Sequence, residues 1–276
     1  MPYVDDITAL LELRQVGPMT YEAVNFSGAT GHLFGGHVTS QALRAASLTV
    51  DKDRFPNSIH AYFLRAGDPE VPLFYEVENT RDGRSISTRR VRAIQHGVEI
   101  LSAMASFHVH EDAVDWTRPR AEVPPPPDAL LDVRAPVLDF DIVAPWDIRS
   151  AAPLSPTGYG PYHPFWVRHR KQLPDDRTVN ACALAFVSDM AVTMTAPPPG
   201  MDFQSFWNST IDHSLWIHRP LRFDEWHVFS VASITTSGSR ALAQGSFHTQ
   251  DGVLVASISQ EVLARPGKAR PIETPK

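Results

Sequence analysis

The spacing of apolar positions changes several times along the chain, and each change marks an element. From Asp5 to Leu13 apolar residues recur at helical spacing and predict a short amphipathic helix, while Tyr21–Phe26 alternates and predicts a strand. Gly35-Gly36 opens a helix through about Leu48, with Val38, Ala42, Ala45 and Ala46 along one face, small enough to let the helix lie close against a sheet. Runs at about 57–64, 72–80, 84–95 and 98–109 predict strands, and Arg81–Gly83 and Gln95–Gly97 their hairpin turns. From about Glu111 to Gly160 the periodicity collapses. Pro124 to Pro127 are consecutive prolines, and Pro136, Pro145, Pro153 and Pro156 follow. Proline neither donates to a ladder nor fits a helix interior, so this stretch reads as an extended surface linker. Leu130, Leu131, Phe140, Ile142 and Trp146 would strap it down. Beyond it Phe165–Arg170 reads as a strand and Asn180–Thr195 as a long apolar helix broken by Pro197–Gly200. Four more strands are expected at about 209–218, 226–237, 239–249 and 253–264.

The second series repeats the first. His60–Arg65 matches His213–Arg219, Leu73–Val77 matches Val228–Val231, Gly83–Ser85 matches Gly238–Arg240, and Gln95–Gly97 matches Gln250–Gly252. Setting Arg65 on Arg219 keeps the later landmarks in register to within about one residue. Each unit is a strand, a central helix and an antiparallel run of strands. The expected class is α+β, a double hotdog in which each repeat wraps a long central helix in an antiparallel sheet. Its expected parts are a first repeat over 1–110, the Pro-rich linker over 111–164, a second repeat over 165–265 and a tail over 266–276. The halves differ in their polar residues, which points to one chemical site on a pseudo-symmetric scaffold.

Composition narrows the function. A net charge of -6 argues against nucleic-acid binding, which needs clustered Lys and Arg. The local run Arg89-Arg90-Val91-Arg92 lies in a predicted strand, so its charges divide between two faces and read as a solvated edge. The one cysteine, Cys182, excludes an intramolecular disulfide and any multi-cysteine metal site, and its apolar setting makes it a packing residue. The acidic N-terminus lacks a signal pattern, and no apolar stretch reaches the ~18 residues of a membrane span. A reducing cytoplasm is the expected location.

Asp189 is the most anomalous residue. It lies in Ala183–Val192, apolar nearly all round, and a helix of that kind is buried. A carboxylate there is hydrogen-bonded or has a raised pKa. It is either a satisfied polar residue that fixes the helix or a general base that orients water. Thr210 begins a strand and, alone, reads as structural. Gln260 is an amide inside an apolar strand where the first repeat has Ala105-Ser106. His213 and His60 are read as occupying equivalent repeat positions, which favours a common structural role. The histidines lack metal-ligand spacing, so no metal is expected. Gly31–Gly36 fits neither a Walker loop nor a dinucleotide fingerprint, and no cofactor is expected. The exposed N–H groups of Gly35 and Gly36 at a helix N-terminus would suit a substrate carbonyl oxygen or oxyanion.

Several ordered words resemble the acyl-CoA thioesterase II family. They are Phe34–Val38, Tyr62–Asp68, Thr80–Gly83, Arg89–Val91 and Ala105–Phe107, then Ser188-Asp189, Ile211–Trp216, His218–Pro220, Asp224–Trp226, Thr249–Ala256 and Gln260-Glu261. The resemblance spans about residues 25–110 and 165–264, and departs from the family at His37, Ala66 and Val262. It implies a double hotdog, hydrolysis of acyl-CoA to free acid and CoA without a cofactor, and a homodimer or homotetramer. It also implies an Asp/Thr/Gln group around the attacking water, which falls on Asp189, Thr210 and Gln260. Two other readings use the same scaffold. An enoyl-thioester hydratase or dehydratase would need a paired Asp and His at matching repeat positions, and a non-catalytic acyl-thioester binding module would have lost the trio.

Overall fold

The strand-period runs pair into one continuous antiparallel sheet in the computed structural model, which describes residues 6–25, 31–117, 124–132, 141–150, 164–196 and 206–267. In chain order the strands are β1 Leu13–Gly17, β2 Thr20–Ala23, β3 Arg54–Phe63, β4 Leu73–Asp82, β5 Ile86–Gln95, β6 Val98–Val109, β7 Leu131–Asp132, β8 Trp146–Ser150, β9 Phe165–His169, β10 Phe206–Thr210, β11 Asp212–Ile217, β12 His227–Ser237, β13 Arg240–Thr249 and β14 Leu254–Pro266. They are arranged β1-β2-β4-β5-β6-β3-β11-β14-β13-β12-β9-β8-β7, with β10 also on β14. The halves therefore fuse where β3 pairs with β11, Ser214 opposite His60. Hairpin turns take positive φ at both central residues, His96 and Gly97 between β5 and β6 and Gly238 and Ser239 between β12 and β13, and in each pair the glycine adopts it without steric cost.

Helices α2 (Gly35–Ser47) and α3 (Arg177–Val187) lie side by side in the core, the first turn of α2 against the last of α3. A Cβ on Gly36 would lie 2.2 Å from the Phe186 carbonyl oxygen, so only glycine permits this approach. Phe186 fixes the contact from the other side, edge-on to Phe34 at 5.2 Å between centroids and tilted against Trp146 at 5.6 Å.

Several expectations need correction. The N-terminal helix is only α1 (Ile7–Leu10), capped by the Asp6 carboxylate, and Leu13 already belongs to β1. The Pro-rich segment is not all linker: β8 joins the sheet beside β9, and Trp146 and Ile148 are fully buried. The helix expected over Asn180–Thr195 stops at Val187 and resumes as α4 (Val192–Thr195), with Ala191 at positive φ between. The 19 residues Arg177–Thr195 are long and apolar enough for a membrane span by composition, contrary to expectation. They are interrupted and 72% buried in their apolar window, as a core element is. The strand expected over 209–218 is broken at Ile211 into β10 and β11. Phe26, Pro136, Phe140, Pro153, Pro156, Pro197–Gly200 and the tail from Lys268 lie outside the described residues.

The basic run divides between faces as expected, yet Arg89 faces the core and not solvent. Its guanidinium donates to Thr49 Oγ1 (3.0 Å), the Thr49 carbonyl (2.9 Å) and Asn79 Oδ1 (2.9 Å), and pairs with Asp82 at 2.8 Å. Arg90 and Arg92 point outward, and Arg92 pairs with Glu76. A buried guanidinium with this many acceptors is costly to remove, because the Thr49 and Asn79 oxygens each lose a charged donor. Arg89→Met is expected to lower unfolding free energy by about 2–4 kcal/mol in a denaturant titration. A change within about 0.5 kcal/mol, typical of a surface position, would contradict the packing role.

Candidate active site

Three elements meet at Asp189. It follows Ser188, the C-cap of α3, where helix carbonyls repel an anion. The neighbouring helix end compensates. The N-cap of α2, Phe34, offers no side-chain acceptor, and the Gly36 N–H donates across to Asp189 Oδ2 at 2.9 Å. By contrast α3 is capped locally, by Asp176 accepting from Thr178 and Val179. Asp189 Oδ1 accepts from Gln260 Nε2 at 2.9 Å. Burial lifts the Asp189 carboxyl from its ordinary 3.8 to about 7, while the hydrogen bonds from Gln260 and Gly36 pull it back down. A Cβ on Gly35 would lie 2.6 Å from Asp189 Oδ2 and 3.2 Å from the Phe63 ring, so glycine leaves the flank of the carboxylate open.

Gln260 is placed by strand alternation. Ile258, Gln260 and Val262 of β14 face the core. Its amide nitrogen also donates to Thr210 Oγ1 at 3.1 Å, so both amide hydrogens are used. Thr210 ends β10 opposite Val262, and among the described residues none accepts its own hydroxyl proton. The Gln260 Oε1 lies 2.6 Å from His213 Nδ1, and His213 Nε2 lies 2.8 Å from Ser188 Oγ. Burial holds the His213 pKa down at about 4, so the ring is neutral at pH 7. The structure thus brings Asp189, Thr210, Gln260, Gly35 and Gly36 together. Gly36 N–H is engaged by the carboxylate and is not the open oxyanion donor expected from sequence. Among the described residues no three His, Cys, Asp or Glu side chains gather as a metal site. Cys182 is fully buried and its thiol is pushed up to about 12, as suits packing.

The strand registers define what the first repeat has in place of these groups. β3 is bulged at Asn57 and the β10–β11 strand at Ile211, and these bulges coincide when the halves are offset by the 154 residues that separate them. Under that register Pro56 is the counterpart of Thr210, and Ala105 that of Gln260. The counterpart of His213 is the fully buried Ile59, not His60. His60 faces the other way, bonded to Ser214 Oγ at 3.0 Å and edge-on to Trp216. A slip of one residue exchanges the two faces of a strand, which is why the paired histidines misled. The equivalent end of the duplex holds a cleft of about 430 Å³ whose lining includes Pro56 and Ile217, without the polar trio.

Comparison with known proteins places these residues in context. The family description "Acyl-CoA thioesterase" matches residues 155–263, and "Acyl-CoA thioesterase N-terminal domain" matches 25–108. Human acyl-coenzyme A thioesterase 8 is 33% identical, over 94% of this chain and 88% of its own. Acyl-CoA thioesterase 2 of Haemophilus influenzae is 33% identical over 95% and 98%. Among solved structures, acyl-CoA thioesterase II TesB2 from Mycobacterium marinum superposes with a TM-score of 0.79 at 34% identity, covering 96% of this chain and 99% of that one. A hot dog fold protein from Alicyclobacillus acidocaldarius, 17% identical with a TM-score of 0.76 over 94% and 97%, shares the fold.

The two glycines make separable demands. Gly36→Ala forces a methyl onto backbone and is expected to cost about 1–3 kcal/mol or more in thermal unfolding. Gly35→Ala meets side-chain atoms that can give way, and should cost clearly less. Equal losses, or a larger loss at Gly35, would contradict the described approach of α2 to α3.

Proposed function

Because the chain belongs to the acyl-CoA thioesterase family and hydrolyses acyl-CoA thioesters to free acid and CoA, we propose that Asp189 is its general base, with Thr210 and Gln260 orienting the attacking water. The observation that carries this reading is a buried carboxylate, tied at both oxygens by Gly36 and Gln260, with a pKa raised to about 7. An ordinary carboxylate is too weak a base at neutral pH, and a freely ionising one could not return its proton. A group near pH 7 does both.

In the proposed sequence a water held between Asp189 and the Thr210 hydroxyl attacks the thioester carbonyl carbon. Its oxygen forms the new C–O bond as one proton passes to Asp189. Collapse of the tetrahedral intermediate breaks the C–S bond, and the departing thiolate takes the proton back from Asp189. The products are a carboxylic acid and the CoA thiol, and Asp189 is again a carboxylate. Gln260 donates to both Asp189 and Thr210, which sets their separation and removes orientational freedom from the water. Gly35 contributes by absence: a side chain there would press on Asp189 Oδ2 and displace the carboxylate.

The same reading keeps one site per chain, in the half bearing Asp189, because Pro56 and Ala105 stand where the other half has Thr210 and Gln260. We also hold to repeats over 1–110 and 165–265, a homo-oligomer that covers outward apolar side chains such as Tyr62 and Trp216, a role in fatty-acid metabolism and a cytoplasmic location. Hydration of enoyl thioesters is not favoured, since these relatives are thioesterases by name.

Asp189→Asn is expected to fold and to lose ~10²-fold or more in kcat for release of free thiol from palmitoyl-CoA. Thr210→Ala and Gln260→Ala should each lower kcat more than they raise KM, and neither should add fully to Asp189→Asn, as befits groups acting as a unit. Wild-type turnover by folded Asp189→Asn would overturn the assignment of the base. Defects that multiply in the double variants would return Thr210 and Gln260 to structural roles.

A further inference from the structure

We infer that His213 is a positioning residue for this reaction: its ring fixes which end of the Gln260 carboxamide faces Asp189. The inference rests on the reading of Asp189 and Gln260 given above. An amide has two ends of similar size, and a fully buried one is oriented only by its partners. Asp189 favours the nitrogen end, and Oε1 must then be satisfied at its own side. His213 Nδ1, 2.6 Å away, is the group that lies there. An N–H at Nδ1 leaves Nε2 of the neutral ring as an acceptor, and the Ser188 hydroxyl lies 2.8 Å from it. Ser188 Oγ is also 2.9 Å from the Ala185 carbonyl, so its single proton is shared between two acceptors at the end of α3. The chain Ser188–His213–Gln260–Asp189 begins and ends on adjacent residues of one helix terminus. It closes a loop across β11 and β14 that leaves one arrangement of the amide.

The first repeat supports this from a different direction. His213 and Gln260 are replaced there, together, by Ile59 and Ala105. Were the histidine needed only to fill the interior of the sheet, it would have no reason to accompany the amide. Ile59, fully buried at the counterpart position, also shows that the scaffold accepts an apolar side chain of comparable size. The neighbouring ionisable groups are engaged elsewhere. Asp212 accepts from the Glu261 N–H, Glu261 pairs with Arg240, and His60 bonds Ser214 on the opposite face.

The test uses the full chain and two readouts. In wild-type protein labelled with ¹⁵N, the His213 ring should be the Nδ1–H tautomer at neutral pH, a measurement that needs no turnover. The opposite tautomer would overturn the inference whether or not the chain hydrolyses thioesters. In the kinetic arm, with palmitoyl-CoA, His213→Ile is expected to lower kcat by about 10²-fold with KM within about 2-fold. His213→Asn, whose amide nitrogen takes the place of Nδ1, should recover a large part of that loss. In a Gln260→Ala background, His213→Ile should cost almost nothing further, and that double variant reproduces the Ile59/Ala105 pair should the single variant fail to fold. Full activity in His213→Ile, or an equal further loss in the Gln260→Ala background, would leave the histidine a packing residue. Absence of hydrolysis by the wild type would instead overturn the reading of Asp189 and leave the tautomer result standing.

Discussion

The contact between Asp189 and the Gly36 N–H is the constraint on which the rest depends. A helix begins with donors that need acceptors, and a buried carboxylate needs donors. Here one requirement answers the other across the duplication: α2, uncapped by its own sequence, is capped by a residue of the second repeat. The first turn of α2 must therefore lie against the last turn of α3, which excludes any side chain at Gly36 and disfavours one at Gly35. Asp189 itself lies between opposing influences, the carbonyls ending α3 and the amide opening α2. Removal from water then carries its pKa upward, and Gln260 keeps that rise within reach of neutrality.

Duplication made the site possible by supplying two helices and two sets of strands that differ afterwards in a few positions. The bulges at Asn57 and Ile211 remain in register, so the backbone of the two ends is still comparable. What changed is polar chemistry. One end carries Thr210, His213 and Gln260, the other Pro56, Ile59 and Ala105. Across the ladder the exchange reverses, with small Ala243 opposite Gln260 and Arg89 opposite Ala105. Arg89 fills the interior of the first repeat and binds Thr49, just beyond the C-terminus of α2. One end is thus filled by a satisfied cation, while the other keeps a buried acid whose pKa is raised.

Much of this was legible in the chain. Period-two runs located the principal strands, Gly35-Gly36 the start of the central helix, and a carboxylate in an apolar run was conspicuous at Asp189. What escaped has identifiable physical causes. β8 lies in proline-rich sequence and is held by burial of Trp146 and Ile148, which no local period announces. α3 ends at Val187, where Ser188 and Asp189 turn to tertiary hydrogen bonds with His213, Gly36 and Gln260, although Met190 and Ala191 would themselves extend a helix. Arg89 looked like a surface charge because its acceptors, Thr49 and Asn79, come from elsewhere in the chain. His213 was misjudged by one residue of register, the smallest error that exchanges inside for outside in a strand.

The central claim is that one buried carboxylate, tuned to titrate near neutrality, takes the proton from water. It is tested most directly by titrating Asp189 itself, with ¹³C-labelled aspartate, alongside the pH dependence of kcat/KM for palmitoyl-CoA hydrolysis. The base is active as the carboxylate, so activity should rise with pH through the Asp189 pKa, and both curves should share a midpoint at about 7. An Asp189 that titrates near the ordinary 3.8, or a kinetic limb that stays in place in Asp189→Asn, would contradict it.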